Sequence, residues 1–161
     1  MPIVHVQMGA AQAKDQNGKD VLLPPPLALA LRGPVVQVTV TIEENAGKGL
    51  LAQGKSLPTP KAGLALIDTG ATGTCIDDQA ARDLSLPVID VAKMTSATHQ
   101  DQQCSVYPVQ IHIPPALTFN CPRTIGAALA AQGLLILIWR DVLQQCNLFY
   151  NGLVGQFTLS L

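Results

Sequence analysis

Aromatic residues make up only 4% of this 161-residue chain, and charged residues only 13%. With hydrophobic residues at 48%, the core falls to Leu, Ile, Val and Ala. Charge so far below the roughly 25% usual for globular chains leaves the surface to Gln, Thr, Ser and Asn. Few like charges keep copies apart, so the composition permits a buried subunit interface. Net charge is -1, from 10 basic and 11 acidic residues, and the basic ones are scattered from Lys14 to Arg140. No basic stripe exists to follow a phosphate backbone, which argues against nucleic-acid binding. The longest strictly apolar run, Leu134 to Trp139, is far too short to span a bilayer, so no stable membrane insertion is expected. Leu22-Leu23 and Leu27 to Leu31 are split by Pro24-Pro25-Pro26 and preceded by Lys14, Asp15, Lys19 and Asp20. That is not the pattern of a secretory signal, and the expected location is the cytoplasm.

Close cysteine pairs are also lacking. Cys75, Cys104, Cys121 and Cys146 stand well apart, so none supplies half a zinc site. His5, His99 and His112 are equally scattered, with no HExxH pattern. A metal or thiol enzyme has little support, and neither a metal nor a cofactor is expected. Scattered thiols in a reducing compartment are the ordinary reading.

The length favours one domain. Residues 1–34 are treated as an N-terminal extension: an arm on the body, a terminal strand pair, or a removable leader. Pro24-Pro25-Pro26 is expected to be extended, and Gly33-Pro34 punctuates the end. The body is residues 35–161. Val35 to Ile42 alternates Val36, Val38, Val40 and Ile42 with Gln37, Thr39 and Thr41, a strand of β-branched residues. Glu43 to Lys61 reads as a long hairpin or surface loop. Gly63 to Ile67 is the next strand. Asp77 to Leu84, rich in Asp at its start and in alanine, suits a short helix. Polar Lys93 to Gln103 lies between apolar stretches and reads as the tip of a hairpin. Leu134 to Ile138 is the most strand-like buried segment, and Arg140 to Cys146 a short helix. Phe157, Leu159 and Leu161 alternate with Thr158 and Ser160 in a terminal strand. The fold class is therefore all-β with one or two short helices.

The chain is organised around Leu64-Ala65-Leu66-Ile67-Asp68-Thr69-Gly70-Ala71. A carboxylate that ends an apolar strand is costly unless it is hydrogen-bonded or paired. By itself it could be a turn aspartate capping its own backbone.

Two segments together carry a resemblance. Ala65-Leu66-Ile67-Asp68-Thr69-Gly70-Ala71 is similar to the hydrophobic-hydrophobic-Asp-Thr/Ser-Gly-Ala signature of retropepsin-like aspartic proteases. Ile136-Leu137-Ile138-Trp139-Arg140-Asp141-Val142-Leu143 resembles their second motif, a buried strand ending in Gly-Arg-Asp/Asn ahead of a short helix. The chain from about Gly33 onward resembles this single-domain, homodimeric family, in a bacterial-looking form. The resemblance implies an acid-protease barrel with a flap hairpin, and peptide-bond hydrolysis by paired Asp68 carboxylates from two subunits. It also implies that Thr69 crosslinks the two active turns and that Gly70 lets the backbone approach an extended peptide or protein substrate. Ala71 and Thr72 would line the substrate, with Thr95, Ser96, Ala97 and Thr98 at the flap tip. That tip lacks the glycines of viral flaps, which implies slower or more restricted closure. The terminal Gly155 to Leu161 resembles the strand that joins the dimer sheet. Trp139, Arg140 and Asp141 would support the turn. Viral relatives often have aspartate at position 72, gripped by the motif arginine. Thr72 removes that partner here, and Arg140 is left to pair with Asp141 or another chain. Relatives carry glycine where Trp139 stands. Three alternatives stay open: the indole fills a pocket of its own, it distorts or blocks the site, or it is an introduced change. The alternative function is a catalytically weak or inactive dimer used for peptide binding or scaffolding.

Overall fold

The computed structural model describes residues 2–94 and 102–161. In chain order the opening elements are β1 (Ile3–Gln7), β2 (Ala11–Lys14), β3 (Asp20–Leu23) and α1 (Pro25–Arg32), followed by β4 (Val35–Ile42) and α2 (Glu44–Ala52). The middle of the chain holds β5 (Lys61–Ile67), β6 (Cys75–Asp77), α3 (Asp78–Asp83), β7 (Asp90–Met94), β8 (Gln102–Ile113) and β9 (Leu117–Ala127). A 3-10 turn at Ala130–Gln132 leads to β10 (Ile136–Ile138), α4 (Arg140–Leu143), β11 (Asn147–Asn151) and β12 (Gln156–Ser160). No helix among the described residues is long and apolar enough to cross a membrane.

The architecture is all-β. Strands run in the order β4-β5-β10-β6-β9-β8, and β4 pairs back onto β8, closing a six-stranded barrel; β7 adds to β8 outside the ring. The alternation read in β4 is realised: Val36, Val38, Val40 and Ile42 are all buried. They meet Val109, Ile111 and Ile113 of β8 and Ile136 and Ile138 of β10, all fully buried. Each such side chain contributes about 1.5–3 kcal/mol on leaving water. β8 and β9 shift register where Tyr107 faces Thr124 but Val109 faces Cys121. Pro108 and Pro122 fall at this break, and neither has an N–H to give a ladder. β9 thereby runs on to Ala127, well beyond the short piece Leu117 to Cys121 visible in the sequence.

Two helices stand where the sequence suggested none. Pro24 is extended as expected, at φ -66° and ψ 158°, but Pro25 and Pro26 open α1. Proline is pre-organised for a first helical turn, where its missing N–H has no intrahelical partner anyway. α1 buries Ala28 and Leu29. Residues 44–52, expected in a loop, form α2 because the buried Glu43 carboxylate accepts from the Asn45 and Ala46 amides and caps it.

β1 pairs with β12 from Ile3↔Ser160 to Gln7↔Gln156, and β11 pairs with the other side of β12 from Asn147↔Ser160 to Asn151↔Gln156. Both edges of β12 are thus filled within one chain. Within one chain β12 is therefore the centre of a three-stranded sheet, with β1 and β11 as its edges. Gly155, at φ +69°, turns the chain into β12 so close to α1 that a Cβ would lie 2.3 Å from the Pro25 carbonyl carbon. Only glycine fits that backbone and that space.

Candidate active site

The site follows from one register. β10 runs parallel to β5 with Ile136↔Ala65, Leu137↔Leu66 and Ile138↔Ile67. One step further sets Trp139 beside Asp68, and neighbours in a parallel pair point to the same face about 4.8 Å apart. The Asp68 amide still donates to the Ile138 carbonyl at 2.9 Å, so Asp68 is held at the strand end. The two segments that carried the resemblance are therefore adjacent strands ending in one loop cluster.

Each oxygen of the half-buried Asp68 carboxylate has one donor. Oδ1 accepts from the Gly70 amide at 2.7 Å, and Oδ2 accepts from the Trp139 indole Nε1 at 3.1 Å. Gly70 permits the first bond: a Cβ there would sit 3.0 Å from Asp68 Oδ1. Trp139 is extended, at φ -114° and ψ -171°, so its backbone imposes no need for glycine. The large side chain is accommodated by lying across the turn and hydrogen-bonding the carboxylate. Thr69, Gly70 and Thr72 are exposed, and Ala71 is half-buried.

Beneath the turn lies a lock that the sequence reading missed. Thr74 is fully buried. Its hydroxyl donates to Asp141 Oδ1 at 2.7 Å and accepts from the Trp139 amide at 3.1 Å, while its own amide donates to Asp141 Oδ2 at 2.9 Å. Asp141 Oδ1 also accepts from the Val142 amide. Asp141 is thus committed to Thr74 rather than to Arg140. Arg140 instead donates from Nε to the Ala71 carbonyl at 2.8 Å, and it makes no ion pair among the described residues. A hydroxyl a short way past Asp68 carries no sequence signal, because only the fold brings it to Asp141. Burial pushes the adjacent Cys75 thiol up to about 12, with Cys104 and Asp141 adding to the effect.

Asp77 is a second missed support. It is buried, and it was legible only as the start of a helix. Oδ1 caps α3 through the Ala80 amide, while Oδ2 accepts from the Leu129 and Ala130 amides at 3.0 and 2.9 Å. One carboxylate therefore fixes both a helix start and the loop before β10.

Asp68 and Thr69 open onto a cleft of 590 Å³ that also contains Arg32, Leu66, Leu148 and Tyr150. A further recess of 650 Å³ shares Arg32 and Leu66 with it and extends past Leu64 to Gln132. β7 and β8 pair antiparallel from Asp90↔Val106 to Met94↔Gln102, forming the base of the expected hairpin. Its candidate tip residues Thr95, Ser96, Ala97 and Thr98 lie outside the described residues.

No protein-family model matches the chain, and no curated protein matches it. Among solved structures, a retropepsin-like aspartic protease from Rickettsia conorii is similar at a TM-score of 0.47 and 10% identity, over 98% of this chain and 91% of that one.

Proposed function

We propose that the chain is half of an aspartic endopeptidase, completed when a second copy brings its own Asp68 to the first. The observation that carries this reading is Asp68 itself: a carboxylate fixed at a strand end, bonded through both oxygens, and opening onto a cleft. The sequence signature around it points to the same chemistry. A carboxylate has about four acceptor sites, so the Gly70 and Trp139 donors leave capacity for a water and a partner. Two carboxylates in contact resist carrying two charges and share one proton. The ionised one takes a proton from a water between them, and that water attacks the scissile carbonyl carbon. The protonated one donates to the carbonyl oxygen, and proton transfer to the departing amine completes the cleavage. Thr69, exposed beside Asp68, is available to bond across the axis. Extended substrate would lie along the cleft under the hairpin of β7 and β8, held by strand-like backbone bonds.

Asp68→Asn is expected to lower the peptide-cleavage rate by about 10²–10⁴-fold, the usual share of general acid–base catalysis, while leaving the fold intact by circular dichroism. An unchanged rate in that variant would refute the reading. The second reading is a dimer that binds peptides without cutting them. The indole on Asp68 Oδ2 favours it, since that donor holds an oxygen the reaction needs. Peptide binding that survives Asp68→Asn, in a protein that cuts no member of a broad peptide library, would select it.

A further inference from the structure

Arg32 closes α1, and the chain that follows it is held beside the active turn. The Ile67 amide donates to the Pro34 carbonyl at 3.0 Å, and Val35 pairs with Leu66. Arg32 lines both recesses, the cleft that holds Asp68 and the one that extends past Leu64 to Gln132. Among the described residues lining the two, it is the one cation and Asp68 the one anion. Its Nη2 donates to the Gln12 carbonyl of β2 at 2.9 Å. That bond ties the head group to the N-terminal arm and uses one of the five N–H donors of a guanidinium. No carboxylate among the described residues pairs with the others. A basic residue in the last turn of a helix offsets the helix dipole, but that role needs neither the tie to β2 nor a place between two recesses.

The second recess lacks Asp68, and its walls include the apolar side chains of Val6, Met8, Leu64 and Leu134. A carboxylate seated there meets the Arg32 charge away from the like charge of Asp68, and the guanidinium fork matches it with two parallel bonds. Leu64, Leu66 and Asp68 occupy alternate positions, so they share one face of β5 and its extension. Leu66 and Leu64 lie about 7 and about 13 Å from Asp68, at about 3.3 Å per residue. We infer that Arg32 selects substrates with an aspartate or glutamate side chain two to four residues from the scissile bond, seated in the recess beyond Leu66. This inference rests on the reading of Asp68 as a peptidase carboxylate. Val6 and Met8 come from the arm ahead of the barrel, so the arm is a wall of the substrate site and not a dispensable leader.

Matched peptide libraries test it. Peptides blocked at both termini carry glutamate, glutamine or lysine at each position two to four residues from the scissile bond, and cleavage is measured at about pH 6, where glutamate is ionised. At its best position glutamate is expected to give about fivefold to tenfold higher kcat/KM than glutamine, the range between an exposed ion pair and a charge-assisted bond. Arg32→Gln should bring that ratio to about one, Arg32→Lys should keep part of it, and Arg32→Glu should favour lysine. Arg32 is exposed, and circular dichroism checks that the variants fold. A residue that only supports the fold or the contact between copies would slow every peptide alike and leave the ratio as in the wild type, which overturns the inference. Equal cleavage of glutamate and glutamine peptides by the wild type also overturns it and leaves the Asp68 reading standing. So does a preference confined to a free C-terminal carboxylate, tested with unblocked peptides that lack acidic side chains. Where the wild type cuts nothing, calorimetric binding of the same peptides decides: tighter binding of glutamate that is lost in Arg32→Gln keeps the acidic subsite and removes the protease reading, and equal or absent binding removes both.

Discussion

The Thr74 hydroxyl offers the sharpest test of how the active turn is held. Thr74→Val keeps the shape of the side chain and deletes one oxygen. Two interactions go with it: the 2.7 Å bond to Asp141 Oδ1 and the 3.1 Å bond from the Trp139 amide. A hydrogen bond to a charged group is worth about 1.5–3 kcal/mol net, and a stranded buried amide costs about 1–3 kcal/mol. Asp141 keeps the amides of Thr74 and Val142, so its charge is not abandoned, and the sum belongs at the lower end. The expected loss is about 2.5–4 kcal/mol, a large part of the roughly 5–15 kcal/mol that holds a typical domain. Thr74→Ser keeps the hydroxyl and should lose only about 1 kcal/mol, for one methyl group. Urea unfolding at fixed protein concentration gives the answer, as a lowered midpoint with unchanged slope. A Thr74→Val protein within about 0.5 kcal/mol of the wild type, or one no worse than Thr74→Ser, refutes the lock.

Trp139→Gly removes the indole from Asp68 Oδ2, and it is expected to raise peptidase activity by freeing that oxygen; equal or lower activity would show that the indole orients the carboxylate instead. Trp139 is the sole tryptophan, so Asp68→Asn should also shift the intrinsic emission of the folded protein, and an identical spectrum would contradict the contact. Burial pushes the Cys75 and Cys121 thiols up to about 12. Their unfolded values lie near 9.0, and the folded state holds these protons more tightly. Their contribution to stability is therefore complete below about pH 9 and is lost as pH rises toward 12. Both thiols should resist alkylation at about pH 8 in the native protein, since the thiolate is the reactive form, and rapid labelling of either would contradict their burial.

What was legible in the sequence was what local pattern dictates. The alternation of Val36, Val38, Val40 and Ile42 required a strand with one buried face. Asp77 ahead of the alanines marked the start of α3. The apolar run into Asp68 and the apolar run into Trp139 both read as core strands, and the parallel register between them accounts for their meeting at one turn. The missed features depend on distant partners. Thr74 and Asp141 are far apart in sequence, and nothing local to either announces the other. The direction of the Trp139 indole depends on the open space over Asp68. α2 was hidden because glycine and polar residues mask its periodicity. α1 could have been found, since a proline pair after an extended proline suits a helix start as well as an extended stretch. Arg140 was unassignable for a different reason: its acceptor is a backbone carbonyl, that of Ala71, which no side-chain pattern reveals.

The pairing of β1 with β12 ties opposite ends of this sequence together, and the Leu161 amide donates to the Pro2 carbonyl alongside. The closed barrel does not include either strand. Contacts between such distant positions have a high sequence separation, and their loop-closure entropy is paid before the contact rewards it. Among the described residues β1 is an edge strand held only by β12, so its backbone bonds are expected to open more readily than those of the closed ring, although Val4 is buried in the same apolar core. Amide protons of β1 should exchange with solvent well before those of β4. The turn bearing Asp68 follows β5, a strand of the closed ring, and not either of the two terminal strands.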